Sequence, residues 1–390
     1  MIKNMSNIEI KSPEEAGLIK SLEKRTDAEA KRILRFLKMP DLSRAEESPI
    51  NELVGRILKI PRFADFDKIQ VPEIVSAEIS FDLFNFPKNH PARSSSDTYF
   101  VDSRHILRTH TTVMWYYHLN LPGVKRKIEM GQPVGALSYG KVYRKDEIDR
   151  FHLPVFHQID GWYLCRKKDH IVTIEDLQNV LLEMARAIYG KDVKYRFNTD
   201  QFPYTDPSLE MEIEVESRWL EVLGAGVVKG AVLKNFGVDP DEYNGWAFGP
   251  GLERLAMVSM NLPDIRLFWS EDPRITKQLR LGNKYIPVSK YPPITRDISF
   301  VVANDFVPNN YFDLIRDLGL SADKAGGDLV EEVSLIDKYE SSKKFGEGKI
   351  SYAYRIIFRS NERTLISSEV DEIMSQIYSE TKKQFNAELR

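Results

Sequence analysis

A single cysteine in 390 residues, Cys165, excludes an intrachain disulfide and a thiolate metal cluster, and fits a small core residue better than a nucleophile. Charge of one sign is also missing. Lys and Arg number 55 against 58 Asp and Glu, a formal net charge of −3 with a pI near 6.2, so there is no global basic field of the kind that coats nucleic acid. Contact with nucleic acid would have to be local. No run approaches the roughly 20 apolar residues that span a bilayer, and Met1 to Ser12 lacks the basic and apolar regions of a secretory signal, so no membrane partner is expected. A transit peptide should be rich in arginine and poor in acid, whereas Glu9, Glu14 and Glu15 precede the first arginine, Arg25. A cytosolic (cytoplasmic) protein is the expectation, with the mitochondrial matrix as the alternative. The loops GxGxxG and GxxxxGK[ST] are absent too, which argues against Rossmann and Walker nucleotide sites.

What is present is 42% hydrophobic residues, enough for at least one large core within two or three domains. Between Ser12 and Arg62 the spacing is helical. Pro13 suits a first turn, Ala28 to Leu37 carries apolar residues at helical intervals, Asp41 to Ser48 interrupts, and Ile50, Leu53, Val54, Ile57 and Leu58 form a second stripe. The expectation for residues 1–65 is a helical hairpin. It is either a packing appendage or an RNA-contacting arm, since Lys24, Arg25, Lys31, Arg32, Arg35 and Lys38 cluster on its first half.

Short strand-like runs dominate from Phe66 to about Ser270, among them Ala136 to Tyr143, Gly161 to Leu164, Leu209 to Val215 and Trp219 to Val222. Clear helices occur only at Thr173 to Tyr189 and after Gly251. Residues 66–282 therefore read as an α+β domain on an antiparallel sheet. After Gly282 the order is strand at 297–302, helix at 309–318, strands at 331–339 and 350–358, and helix at 367–383. That is the split βαβ order of a ferredoxin-like domain over residues 283–390.

Two arginines stand out. Arg144 ends a strand and precedes a polar stretch, Lys145 to His152; Arg254 follows Gly249, Gly251 and Glu253 and opens an apolar helix, where glycines let a ligand approach the backbone. Around them, GKVYRKDE at 140–147 and AFGPGLERLAM at 247–257 resemble motifs 2 and 3 of class II aminoacyl-tRNA synthetases, and FDLFNFPKNHPAR at 81–93 resembles motif 1. LRTHTT at 107–112, FHQID at 156–160, QFPYTDPSLEMEI at 201–213, WLEVLGAGVV at 219–228 and PDIRLFWSEDPR at 263–274 are similar to the phenylalanyl-tRNA synthetase family. From Ser289 onward the chain resembles that family's ferredoxin-like anticodon-binding domain, in the order of the single-chain, mitochondrial-like form.

The resemblance implies ATP-dependent ligation of L-phenylalanine to tRNA(Phe) through a phenylalanyl-adenylate. It places Arg144 on the α-phosphate and substrate carboxylate and Arg254 on the γ-phosphate, tasks that suit a planar fork that stays protonated. Phe156 falls where the family stacks adenine, with Arg254 on the base's other side, and Phe151, His152 and Leu153 fall on the nucleotide-contacting motif 2 loop. For phenylalanine it implies His110, Thr112, Gln158, Asp160, Glu221 and Phe248, a ring clamp from Phe202 and Tyr204, and Ala247 as the limit on the para position. Thr112, Asp160 and Tyr204 depart from the family's Ser, Glu and Phe. For Mg2+ it points to Asp206 and to Glu221 or Glu214. A monomer without a separate β subunit or an editing domain is the further expectation. The alternatives are a related class II enzyme with another amino-acid specificity, or a non-catalytic RNA-binding paralogue.

Overall fold

The computed structural model describes residues 7–215, 217–287, 291–322, 329–360 and 362–390. Ser289, where the second resemblance begins, lies outside them. The chain forms two compact units, Met1–Arg144 with Val155–Asn261 and Leu279–Lys284, and Lys145–Pro154 with Leu262–Gln278 and Tyr285–Arg390.

The first unit is built on an eight-stranded sheet. In chain order its strands are β1 (Asn7–Glu9), β2 (Asp67–Gln70), β5 (Val134–Tyr143), β6 (Val155–Arg166), β7 (Tyr195–Phe202), β8 (Thr205–Val215), β9 (Arg218–Val228) and β10 (Tyr243–Phe248); β3 (Ile74–Ser76) and β4 (His105–Leu107) form a separate pair. Across the sheet the order is β1-β2-β5-β6-β10-β9-β8-β7, antiparallel except where β1 joins β2 and β2 joins β5. The amino-terminal segment thus supplies a strand to this sheet, which the reading as a separate hairpin did not foresee.

That segment also holds three helices where a hairpin of two was expected: α1 (Pro13–Glu23), α2 (Ala28–Lys38) and α3 (Pro49–Leu58). The unforeseen break follows from capping rather than from glycine or proline. The Asp27 carboxylate accepts from the N–H of Ala30 (3.0 Å) and from the Arg25 guanidinium (2.9 Å), so a new helix starts there. Ser48 caps α3, Pro49 fills its first turn, and Ile50, Leu53, Val54 and Ile57 are buried as their spacing predicts. Arg56 on α3 donates to the Ile188 carbonyl at the end of α4 (Ile174–Tyr189), whose start is fixed by reciprocal hydrogen bonds between Thr173 and Asp176.

β5 and β6 form the central hairpin, with Ser138 opposite Asp160 and Gly140 opposite Gln158. The two-residue period of β6 puts Phe156, Gln158, Asp160 and Trp162 on one face and His157 and Gly161 on the other. α5 (Leu252–Met260) begins beside this strand, because Gly251 bridges Gln158.

In the second unit β11 (Ile294–Ala303), α6 (Pro308–Ala322), β12 (Val330–Glu340), β13 (Lys349–Phe358) and α7 (Ser367–Phe385) follow the order read from the sequence, closed by a short β14 (Glu388–Leu389). The sheet order is β12-β13-β11-β14. The unit also takes in the segment between β5 and β6, which the sequence boundary assigned elsewhere. Ile148 is buried in this unit's core, its carbonyl accepts from Val333 N–H (3.0 Å), and Arg316 donates to the carbonyls of Asp146 (3.0 Å) and Glu147 (2.8 Å). Among the described residues no helix is long and apolar enough to cross a membrane.

Candidate active site

The site grows from the inward face of β6. The Asp160 carboxylate is buried and held by two hydroxyls, Thr111 Oγ1 donating to Oδ2 (2.7 Å) and Thr112 Oγ1 to Oδ1 (2.8 Å). Burial pushes its pKa up to about 7 even though these hydroxyls, Arg144 and Arg108 all favour the charged form. Gln158 spans the same floor, accepting from Thr111 N–H (3.1 Å) and donating to the Gly249 carbonyl (2.6 Å). His110 is driven the other way, to about 3, by burial first and Arg144 second, so its ring is neutral. Its Nε2 lies 3.1 Å from the Ser80 carbonyl, which can only accept, so Nε2 carries the proton and Nδ1 is a lone pair; Nδ1 is buried without a hydrogen-bond partner among the described residues. A carboxylate and an imidazole lone pair on one buried floor are the acceptors an ammonium group requires.

Arg144 leaves the end of β5 with Nε donating to the Thr109 carbonyl (3.0 Å), and its guanidinium lies 5.3 Å from the centroid of Phe156. The resemblance puts Arg254 across an adenine from that ring. Arg254, in the first turn of α5, is half exposed and stands 4.0 Å from Glu221. The Glu221 carboxyl is raised by burial and then by Glu210, a neighbouring carboxylate on β8. Glu210 was not picked out from the sequence. Of the other expected metal ligands, Asp206 is exposed near the start of β8 and Glu214 is paired with Lys194 at 2.7 Å. Among the described residues no three His, Cys, Asp or Glu converge on a metal cage. Two repelling acids suit Mg2+, which binds through one or two carboxylates together with substrate phosphates.

The residues expected to form the side-chain pocket are aromatic. Phe202 and Tyr204 stack at 6.0 Å and 13°, and Tyr204 meets Phe84 edge-on at 5.9 Å. Tyr204 is half-buried, and desolvation and then Asp160 keep its hydroxyl protonated. Ala247 belongs to the same buried cluster. Phe248 does not, and its expected role in the pocket is corrected. As the next residue on β10 it faces the opposite side of the sheet, where its ring packs on Phe63 (5.7 Å) and Trp246 (6.0 Å). Phe151, His152 and Leu153 lie in the second unit, where Asp149 accepts from the backbone N–H of Phe151 (2.6 Å) and of His152 (2.8 Å) and from His152 Nδ1 (2.8 Å).

Comparison with known proteins agrees with this geometry. Residues 36–279 match the family described as tRNA synthetases class II core domain (F), and residues 289–390 match the ferredoxin-fold anticodon binding domain. The chain is 42% identical over 337 residues to the phenylalanine–tRNA ligase, chloroplastic/mitochondrial, of Arabidopsis thaliana, covering 83% of this chain and 73% of the relative. It is 37% identical over 354 residues to the mitochondrial enzyme of Mus musculus, covering 81% and 73%. The chain belongs to the phenylalanine–tRNA ligase family of class II synthetases. To the α subunit of that ligase from Coxiella burnetii (strain CbuK_Q154) it is 36% identical over 234 residues, covering 60% of this chain and 67% of the subunit. The expectation of a cytosolic protein is corrected by these names, since the Arabidopsis and mouse relatives are named as chloroplastic/mitochondrial and mitochondrial enzymes.

As a phenylalanine–tRNA ligase family member, the chain shows which site residues the motifs leave unmarked. Thr111 contributes as much to the Asp160 cradle as Thr112 does, and the doubled hydroxyl in Thr111-Thr112 was the available signal. Arg108 is buried, donates to the carbonyls of Lys141 and Val71 (2.8 Å each), and adds positive potential at Asp160 and His110. No periodicity marks it.

Proposed function

We propose that the chain activates L-phenylalanine with ATP and transfers the phenylalanyl group to tRNA(Phe). In the first step a phenylalanine carboxylate oxygen attacks the α-phosphorus, forming the adenylate and expelling pyrophosphate. In the second the terminal ribose hydroxyl of tRNA attacks the carboxyl carbon and AMP leaves. The observation that carries the reading is a buried carboxylate, Asp160, held by Thr111, next in sequence to the neutral His110 whose Nδ1 is buried without a hydrogen-bond partner among the described residues: two acceptors suited to an ammonium, both within the influence of Arg144.

Arg144 stabilises charge that develops on the carboxylate and α-phosphate, a positioning and electrostatic task of the kind phosphoryl transfer asks of a protein. Phe156 offers a ring face for adenine, and Arg254 a fork for the terminal phosphate. Glu221 and Glu210 would hold Mg2+, which screens the phosphate charge. The carboxy-terminal domain would bind the anticodon arm, with the enzyme acting as a monomer. The relatives' names support an organellar translation system as the setting. The test is phenylalanine-dependent ATP–pyrophosphate exchange. Wild type should exchange, and Arg144→Ala should lose about 10²–10³-fold in kcat; exchange with a different amino acid in preference to phenylalanine would overturn the specificity, and no exchange would overturn the activity.

A further inference from the structure

His157 lies between Phe156 and Gln158 but points away from both, and none of the roles assigned above uses it. Its ring is completely buried. Nδ1 lies 2.6 Å from Oε1 of Glu253, itself buried, and the backbone N–H of His157 donates to both oxygens of that carboxylate, at 3.0 and 2.8 Å. On the far side of the ring the backbone N–H of Leu42 donates to Nε2 at 2.9 Å. A backbone N–H can only donate, so Nε2 carries the lone pair and Nδ1 the proton that goes to Glu253. The ring is therefore held neutral, in one tautomer.

The three segments it joins are those that carry the nucleotide chemistry. Glu253 immediately precedes Arg254 in the first turn of α5, and His157 immediately follows Phe156 on β6. Leu42 sits in the turn after α2, and that turn is itself fastened to the strand bearing Arg144. Arg44 donates to the Tyr139 carbonyl (3.0 Å) and lies 4.2 Å over the Tyr139 ring, while buried Lys141 donates to the carbonyls of Leu37 (2.8 Å) and Met39 (2.9 Å) at the end of α2. Asp41 comes within 3.5 Å of Nε2, but its Oδ1 already accepts from Ser43 N–H (2.9 Å).

We infer that His157 is a positioning residue for ATP: through Glu253 and the Leu42 N–H it sets the spacing between Phe156 and Arg254, and so makes the amino-terminal helical segment part of the nucleotide site. The inference rests on the function proposed above. It does not depend on His157 touching substrate.

The test uses the full chain carrying His157→Asn, which keeps a donor near Glu253 but has no group at Nε2, or His157→Gln, which reaches the Leu42 side but loses the near donor. Pyrophosphate exchange would be titrated separately in ATP and phenylalanine, with thermal unfolding alongside. Both variants should raise the KM for ATP about tenfold while moving that for phenylalanine less than about twofold. Folded variants with an unchanged ATP KM, or with both KM values raised equally, would overturn the inference. Glu253→Gln, which keeps the shape but weakens the acceptor, should show the same split and carries the test if the histidine variants do not fold. Wild type that fails to exchange would instead strike at the proposed function.

Discussion

Thr112 donates to Oδ1 of Asp160 over 2.8 Å, and Thr111 matches it on Oδ2, yet the carboxyl still titrates at about 7 because burial outweighs both hydroxyls. An ammonium substrate needs the ionised form. Below about pH 7 the site must first lose a proton, so the KM for phenylalanine should rise about tenfold per pH unit there and level off above. A pH profile of exchange checks this. The stability sign is opposite. A folded pKa raised above 3.8 favours the fold at low pH, and that contribution is lost as pH rises to about 7. Asp160→Asn should therefore raise the melting temperature most above pH 7 while abolishing exchange.

Removing one hydroxyl tests the cradle directly. Thr112→Val leaves the shape but takes a donor from the carboxylate, a hydrogen bond to a charged group worth about 1.5–3 kcal/mol. The phenylalanine KM at pH 8 should rise at least about tenfold, and the midpoint of its pH profile should move upward. Thr112→Ser should restore both.

Ala247 is buried in the hydrophobic cluster against which Tyr204 packs, and the proposed pocket sets its methyl at the para end of the substrate ring. Ala247→Gly should open room for a para substituent and admit para-chlorophenylalanine in the exchange assay, with a gain of about tenfold or more relative to phenylalanine. An unchanged preference would mean that the ring lies elsewhere.

The elements that pack by simple periodicity were legible in advance: β5, α4 and the five main elements of the second unit fall within a few residues of where apolar spacing puts them. The resemblance named Arg144, Gln158 and Asp160, and the structure sets Gln158 and Asp160 on one face of β6 with Arg144 over Phe156 of that face. Features created by pairing across the chain were not legible in advance. The break before α2 depends on a capping carboxylate, Ile148 is claimed by a core more than a hundred residues away in sequence, and the parallel edge at β1 needs a partner nothing local announces. Phe248 shows how a motif match and strand alternation can disagree. Adjacent residues matched one pocket, but neighbours on a strand cannot face the same way.

That disagreement has a measurable consequence at Gly161, which pairs with Phe248 across the β6–β10 ladder. A Cβ built at Gly161 would come within 2.3 Å of the Phe248 ring and 2.8 Å of the Leu137 side chain, so Gly161→Ala should destabilise the fold by about 1–3 kcal/mol through overpacking. Phe248→Leu shortens the ring's reach and should recover part of that loss in the double variant, a coupling that a thermodynamic cycle reads as non-additive. Because the clash lies on the face turned away from Asp160 and Ala247, Phe248→Leu alone should leave the phenylalanine KM within about twofold of wild type. A large rise in that KM without loss of stability would return Phe248 to the pocket wall.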